Sequence, residues 1–177
     1  MTQTDMQELL TGELQGAWTL DPEATTVRFS HRTLWGLVSV KGSFAVTEGS
    51  GRIDPSGGLT GDLVLSAASV DTSNAKRDTH LRSADFFDVD RHPTLAVRVL
   101  SGAAVPGGFE FRAQLTVKGI SEPQILLARL RSRTPDAVTV AIDTKVDRER
   151  FGLSWNKLGV IRGLTKVQIE ATFRRAD

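Results

Sequence analysis

The chain has 177 residues, a length that favours one domain over two. Apolar residues make up 40% and charged residues 24% of the sequence, the balance of a soluble globular protein. The formal net charge of +1 gives no bulk field for nucleic acid or anionic lipid, and the absence of cysteine excludes disulfides, thiol catalysis and cysteine-ligated metal.

The N-terminal residues predict where the protein resides. Residues 1–27 contain no Lys or Arg and lack both the basic start and the apolar core of a secretory signal, so we expect a cytoplasmic protein. No stretch is apolar for long enough to span a bilayer, so stable membrane insertion is not expected. Residues 1–16 are interpreted as an N-terminal extension, either a short packed helix or a frayed terminus, because four apolar residues lie near helical spacing: Met6, Leu9, Leu10 and Leu14.

Alternating apolar residues then predict the first strands. Every second residue shares one face, which is the spacing of a half-buried antiparallel strand. These faces hold Val27, Phe29 and His31, then Val38, Val40, Gly42, Phe44 and Val46, then Leu59, Leu63 and Leu65. Between the last two, residues 48–58 are rich in Gly, Ser and Pro and are predicted to be a turn-rich connector.

The stretch RDTHLRSADFFDVDRHP, residues 77–93, breaks this alternation. It follows good helix N-cap residues at 71–74, and its first turns are polar nearly all round, so a helix here is not a core helix. Pro93 ends the insertion and restarts an extended chain. We predict that the insertion closes one end of the β-structure, with Phe86, Phe87 or both packed into that end.

After the insertion, apolar and polar residues alternate again. The alternating faces hold Leu95, Val97 and Val99, then Phe109, Phe111, Ala113, Leu115 and Val117, then Val138, Val140 and Ile142, then Val167, Ile169, Ala171 and Phe173. Alternation is poor over residues 123–131, which are compatible with a strand or with a helical turn.

About eight strands with one apolar face each are compatible with a sandwich or with a closed up-and-down barrel. Several of the strands are about ten residues long and carry inward glycine, which suits the curvature of a barrel. Eight strands is also the number at which a barrel either fills itself or holds one small ligand. The pattern therefore favours an all-β, eight-stranded antiparallel up-and-down barrel.

Specific segments of the sequence resemble the YceI-like family. They are WTLDPEATTVRFSHRTLWG, VKGSF, GRIDP, SAASVDTSNAKRDTHLRSADFFDVDRHPTLAV, LTVKGIS and FGLSW, and they extend from about Trp18 towards the C-terminus. The resemblance implies a lipocalin-like barrel in a domain of residues 17–177, with a short helical insertion around 74–90. It also implies that the barrel holds the apolar chain of a polyisoprenoid, such as a polyprenyl or ubiquinone-type lipid. Many family members carry a signal peptide and are periplasmic, and this sequence departs from them there.

Inward faces supply the candidate ligand-binding residues, because Leu, Val and Phe make a good solvent for an isoprenoid chain. The predicted cavity lining is Val27, Phe29, His31, Val38, Val40, Phe44, Leu63, Leu65, Phe86, Phe87, Leu95, Val97, Phe109, Phe111, Leu115 and Trp155. The same side chains are also compatible with a barrel that they fill completely. His31 is compatible with a head-group contact and, equally, with a core histidine bonded to backbone.

Arg77, His80 and Arg82 are the candidate head-group residues, since arginine suits phosphate oxygens at a barrel mouth. The alternative is that Arg77 and Asp78 form only local salt bridges on the insertion.

No catalytic motif is evident in the sequence. There is no Gly-x-Ser-x-Gly elbow, no phosphate-binding glycine loop and no ligand spacing for a metal, so the predicted catalytic and metal residues are none. We expect a non-catalytic carrier of a long-chain isoprenoid-type lipid, with no cofactor other than a bound polyisoprenoid or quinone-type lipid. The expected partner is that apolar lipid, not nucleic acid, and the expected state is a monomer or homodimer. The alternatives are an enzyme acting on a small apolar substrate at the barrel mouth and a filled barrel with only an interaction role.

Overall fold

An antiparallel β-sheet runs through most of the chain in the computed structural model, which describes residues 1–33, 37–154 and 163–177. The strands are β1 (Gly16–Leu20), β2 (Thr26–Thr33), β3 (Val38–Phe44), β4 (Val46–Ile53), β5 (Leu59–Ser66), β6 (Thr94–Val105), β7 (Gly108–Val117), β8 (Ile120–Arg133), β9 (Ala137–Val146) and β10 (Thr165–Arg175). The helices are α1 (Gln3–Thr11) and α2 (Ala75–Arg82), and 3₁₀ turns lie at Ala67–Ser69 and Arg148–Phe151.

The sheet closes on itself. The strands pair in the order β1-β4-β5-β6-β7-β8-β9-β10, and β10 pairs back with β1. The first half of β10 pairs with β2 and its last residues pair with β1, so β1 and β2 together occupy one strand position, as do β3 and β4. The result confirms the predicted eight-stranded antiparallel up-and-down barrel with a short helical insertion.

The barrel has an apolar core because every second side chain of a strand points inward. On β7, Phe109, Phe111, Ala113 and Leu115 are buried, whereas the residues between them are exposed. Each such large apolar side chain contributes about 1.5–3 kcal/mol when it is fully buried. Residues 123–131, which the sequence left open, lie within β8, and β8 pairs with β7 through ten residues, 120–129.

The predicted connector at residues 48–58 is wrong over its first half, because β4 continues to Ile53. Gly49 faces the interior there, and a Cβ atom at this position would lie 2.9 Å from the Cβ of Leu20. The small residue therefore serves close packing rather than a turn. The true turn is held by Asp54, whose carboxylate accepts hydrogen bonds from Ser56 Oγ and from the backbone N–H of Ser56 and Gly58, and these bonds lower its pKa.

The two ends of the barrel differ. At one end, called here the closed end, α1 lies across the barrel and buries Met6, Leu9 and Leu10. The other end, called here the mouth, carries the insertion at residues 67–93 and the 3₁₀ turn Arg148–Phe151. None of the helices among the described residues is long and apolar enough to cross a lipid bilayer.

Candidate functional site

A cavity of about 420 Å³ occupies the half of the barrel next to the mouth. Its walls are the inward faces of the strands together with side chains of the insertion. The apolar lining consists of Val27, Phe29, Val40, Phe44, Leu65, Leu81, Phe86, Phe87, Leu95, Ala96, Val97, Leu115, Val117, Leu126, Val146, Phe151, Leu153, Val167 and Ile169. We call this space the mouth cavity.

A second cavity of about 120 Å³ lies towards the closed end. Leu14, Trp18, Phe109, Phe111 and Phe173 are among its lining residues, and we call it the inner cavity. The two cavities share Val97, Leu126 and Ile169, so they follow one another along the barrel axis. The described side chains therefore leave space inside the barrel instead of filling it.

The predicted lining residues divide between the two cavities. Val27, Phe29, His31, Val40, Phe44, Leu65, Phe86, Phe87, Leu95, Val97 and Leu115 line the mouth cavity, and Leu63, Val97, Phe109 and Phe111 line the inner cavity. The prediction is wrong for Val38, which is 42% exposed and lines neither cavity, because it is the first residue of β3 at the mouth. Trp155 lies outside the described residues.

The insertion is anchored by a buried carboxylate. Asn74 caps α2 by accepting a hydrogen bond from the backbone N–H of Arg77. Asp78 is 6% exposed and accepts hydrogen bonds from the Thr72 backbone N–H at 3.0 Å and from the Thr72 hydroxyl at 2.5 Å. Arg77 donates from Nε to the same hydroxyl oxygen at 2.7 Å. The polar side chains that exclude α2 from the core therefore form the hydrogen bonds that hold the helix at the mouth.

Both phenylalanines of the insertion face the mouth cavity. The ring of Phe87 meets Phe44 edge-on at 5.4 Å between centroids, and Phe44 lies 5.4 Å from Phe29. The ring of Phe86 meets His80 edge-on at 5.3 Å. Such aromatic pairs contribute about 0.5–1.5 kcal/mol beyond their burial, so the insertion is packed against the barrel wall.

The three predicted head-group residues separate in the structure. Arg77 and His80 line the mouth cavity, with His80 Nε2 lying 3.1 Å from the Asp85 carboxylate. Arg82 lies outside the described lining. Its guanidinium donates instead to the backbone carbonyl oxygens of Ala68 and Val70, at 2.8 and 3.1 Å. Arg82 therefore joins α2 to the preceding 3₁₀ turn, and its predicted place at the mouth cavity is wrong.

Sequence reasoning missed a buried arginine at the mouth. Arg148 is 8% exposed, lines the mouth cavity and donates to the backbone carbonyl of Leu153. Burial lowers the pKa of its guanidinium, an effect that Glu149 and Asp147 oppose. The surrounding sequence DRER has the character of an exposed turn, and nothing local distinguishes Arg148 from Arg150.

His31 on β2 is a further ionisable residue that lines the mouth cavity, and its Nδ1 lies 2.9 Å from the hydroxyl oxygen of Thr165. Thr33 and Thr144 line the cavity at the same end. Within residues 1–33, 37–154 and 163–177, no three His, Asp or Glu side chains form a group that could hold a metal ion. The arrangement thus provides an apolar interior with cationic and hydroxyl groups at one end.

The chain is similar in sequence to a known family of domains and to several known proteins. A model of the YceI-like domain matches residues 18–173. The UPF0312 protein of Ectopseudomonas mendocina strain ymp is 37% identical over 68 residues, which are 38% of this chain and 36% of that protein. The UPF0312 protein of Azotobacter vinelandii is 40% identical over 67 residues, 37% of this chain and 34% of that protein. The matched segment therefore spans about a third of the length of these relatives.

Solved structures share the fold. BcnA of Burkholderia cenocepacia superposes with a TM-score of 0.75 at 14% identity, covering 86% of this chain and 98% of that one. A polyisoprenoid binding domain from Saccharophagus degradans superposes with a TM-score of 0.69 at 16% identity, covering 90% and 98%. At such identities the likeness shows a common barrel architecture.

Proposed function

The chain belongs to the family of YceI-like domains, and from this premise we propose that it binds a long-chain isoprenoid-type lipid inside the barrel without catalysing a reaction. The observation that carries the proposal is the apolar mouth cavity of about 420 Å³, followed by the inner cavity towards the closed end. The similar barrel from Saccharophagus degradans, described as a polyisoprenoid binding domain, supports this ligand class.

The free energy of such binding comes from burial of apolar surface. Removing about 400 Å² of ligand surface from water supplies about 10 kcal/mol before the costs of association are subtracted. A cavity that exists before the ligand arrives keeps those costs low. The ring contacts between Phe87, Phe44 and Phe29 support such a preformed wall.

The polar end of the lipid is proposed to lie at the mouth, near Arg148, Arg77 and His80. Burial disfavours the charged form of Arg148, as the lowered pKa of its guanidinium indicates. An anionic or strongly hydrogen-bonding head group beside it would offset that cost and would gain a charge-assisted hydrogen bond. We therefore place a diphosphate or a quinone oxygen beside Arg148, rather than an apolar chain end.

A carrier role agrees with the ionisable groups of the mouth cavity. In the described part of its lining these are His31, Arg77, His80 and Arg148, a set without a carboxylate. An enzyme that moves protons would need an acid and a base that both face the ligand, whereas Asp85, the partner of His80, lies outside the described lining. The cytoplasmic location and the monomeric or homodimeric state remain predictions from the sequence.

The proposal is tested by gentle purification followed by native mass spectrometry and organic extraction. We expect a prenyl-type lipid in a one-to-one complex, or uptake of an added prenyl lipid by protein that is isolated empty. Protein that stays empty in the presence of prenyl alcohols and prenyl diphosphates would contradict the proposal. Exclusive recovery of straight-chain fatty acids would contradict the isoprenoid class.

An Arg148→Met variant tests the position of the head group. The variant is expected to bind a prenyl diphosphate about 10- to 100-fold more weakly, because a hydrogen bond to a charged group contributes about 1.5–3 kcal/mol. Its affinity for the prenyl alcohol of the same length is expected to change little. The measurement is competition of both ligands against a fluorescent lipid.

Arg150→Met is the matched control for this variant. Arg150 belongs to the same 3₁₀ turn, but it is largely exposed and pairs with Glu122 instead of lining the mouth cavity. This control is expected to bind both ligands as the unmodified protein does. Equal losses for the diphosphate and the alcohol in Arg148→Met would show that the arginine acts only on the packing of the mouth.

A further inference from the structure

Helix α1 is firmly seated on the closed end of the barrel. Met6 and Leu10 are completely buried, and the Thr2 hydroxyl and the Asp5 carboxylate form a capping box at the start of the helix. A Cβ atom on Gly57, in the turn between β4 and β5, would lie 3.4 Å from the Cβ of Leu10, so helix and turn are in direct contact. Helix α1 therefore packs directly on the closed end of the barrel.

The segment that follows α1 reaches the inner cavity. Leu14 and Trp18 both line that cavity, and the Trp18 indole N–H donates to the Leu14 carbonyl at 2.9 Å. Arg175 holds the segment from the other side. Its guanidinium lies 4.4 Å from the Trp18 ring and donates to the carbonyl oxygens of Gln15 and Glu13. The inner cavity therefore ends on a fixed surface supplied by the N-terminal segment.

Part of this surface lies before the range that the family model matches. The match to the YceI-like domain begins at residue 18, whereas α1 spans Gln3–Thr11 and Leu14 follows it. The inner end of the cavity thus combines Leu14, which precedes the matched range, with Trp18, the first residue of that range.

The depth of the barrel limits an enclosed chain. Thr165 lines the mouth cavity and Phe173 lines the inner cavity, eight residues further along β10. At about 3.3 Å per residue and a strand tilt of about 40°, the two levels are about 20 Å apart along the axis. A fully extended chain advances about 1.2 Å per backbone bond, so this depth accommodates about 16 bonds, or about four isoprene units.

We propose that the N-terminal segment, through Leu14 behind α1, is the floor of the lipid site and sets the longest isoprenoid chain that the barrel fully encloses. This inference rests on the proposed function, because it assigns a length limit to the same ligand. The chain end enters the inner cavity past Val97, Leu126 and Ile169 and stops at Leu14 and Trp18.

Gly51 offers a way to raise the floor. It lines the inner cavity, and a Cβ atom there would lie 3.7 Å from the Cβ of Trp18 and 3.9 Å from the Phe173 ring, which are ordinary contacts. A Gly51→Leu variant therefore directs its side chain into the inner cavity without displacing the backbone. Glu48→Leu, on the exposed side of the same strand, is its control.

Leu14→Ala lowers the floor, because it removes a side chain that lines the inner cavity. Its matched control is Leu9→Ala. Leu9 is also buried, on the packed face of α1, but lies outside the described lining of the inner cavity. The two alanine variants lose similar packing, so a difference in ligand length between them reports on the floor itself.

The experiment measures the affinities of prenyl alcohols that increase by one isoprene unit, with the full-length protein and each folded variant. For the unmodified protein we expect affinity to increase with each unit up to about four and then to stop increasing. The limit is expected to shift by about one unit, to shorter chains in Gly51→Leu and to longer chains in Leu14→Ala, since a leucine side chain fills about the space of one unit.

If Gly51→Leu still binds prenyl alcohols and its chain-length limit is unchanged, the floor assignment is overturned. This variant is sufficient for the test even if Leu14→Ala does not fold. An equal shift in Leu9→Ala and Leu14→Ala would also overturn it. Failure of the unmodified protein to bind any prenyl alcohol is a different result, and it would overturn the proposed function itself.

Discussion

A Val97→Arg variant is expected to fold and to lose its lipid, with an affinity at least about 100-fold lower than that of the unmodified protein. Val97 lines both cavities and pairs across strands with Leu63 and Leu115. In the empty barrel, water entering from the mouth hydrates the new guanidinium. A bound apolar chain removes that water and leaves the charge unpaired, which costs several kcal/mol. A 100-fold loss of affinity corresponds to about 3 kcal/mol, so the expected cost is at least as large.

Leu100→Arg is the control for this result. Leu100 lies on the same strand, β6, but is 56% exposed on the outside of the barrel, where an arginine is fully hydrated. Lipid content per protein, from extraction and mass spectrometry of both variants after circular dichroism has verified their fold, decides the outcome. Equal lipid content in a folded Val97→Arg variant would mean that the ligand does not occupy the barrel interior.

An Asp78→Ala variant is expected to lose about 3 kcal/mol of unfolding free energy and about 6–12 °C in Tm. The substitution removes the carboxylate that accepts hydrogen bonds from the backbone N–H and the hydroxyl of Thr72, and Thr72 is itself buried. Two donors are then left in a buried position without their acceptor. Thermal unfolding followed by circular dichroism measures the loss.

Two further variants make this prediction specific. Asp78→Asn keeps one acceptor oxygen and is expected to fall between the unmodified protein and the alanine variant. Thr79→Ala changes the next residue of α2, which is exposed, and is expected to alter the unfolding free energy by less than about 0.5 kcal/mol. A Tm of Asp78→Ala equal to that of Thr79→Ala would show that the carboxylate does not anchor the insertion.

The loss of the anchor also has a consequence for the ligand. The insertion brings Phe86 and Phe87 to the mouth cavity, and α2 is fastened next to them by the contact between Asp78 and Thr72. We therefore expect Asp78→Ala to release bound lipid faster than the unmodified protein does at a temperature where both are folded. The same purified samples allow both measurements.

The sequence alone specified strands β2, β3, β5, β6, β7, β9 and β10 and their inward faces. Alternation in residues such as Phe109, Phe111 and Leu115 is a local property, because successive side chains of any strand point to opposite sides. The break in alternation at residues 77–93 likewise marked the insertion, and its N-cap position was visible in residues 71–74. These features depend on neighbours in the chain, which a sequence displays directly.

Other features depended on neighbours that are distant in sequence. Position 49, within strand β4, holds a glycine because Leu20 leaves no room for a larger side chain there. Arg148 is buried and Arg150 is exposed, although both belong to the same charged turn. Arg82 is directed to the carbonyl groups of Ala68 and Val70, away from the mouth cavity. In each case the partner that decides the outcome is brought near only by the closed barrel.

By itself, then, the sequence determined the strand periodicity, the position of the insertion and the likeness to a family of barrels. Only the tertiary structure decided that the interior is hollow, that Val97 lines both of its cavities, and that Leu14 lies at its inner end. The physical reason is that an internal volume is the difference between the space enclosed by eight strand positions and the summed volume of all inward side chains. No local stretch contains that difference.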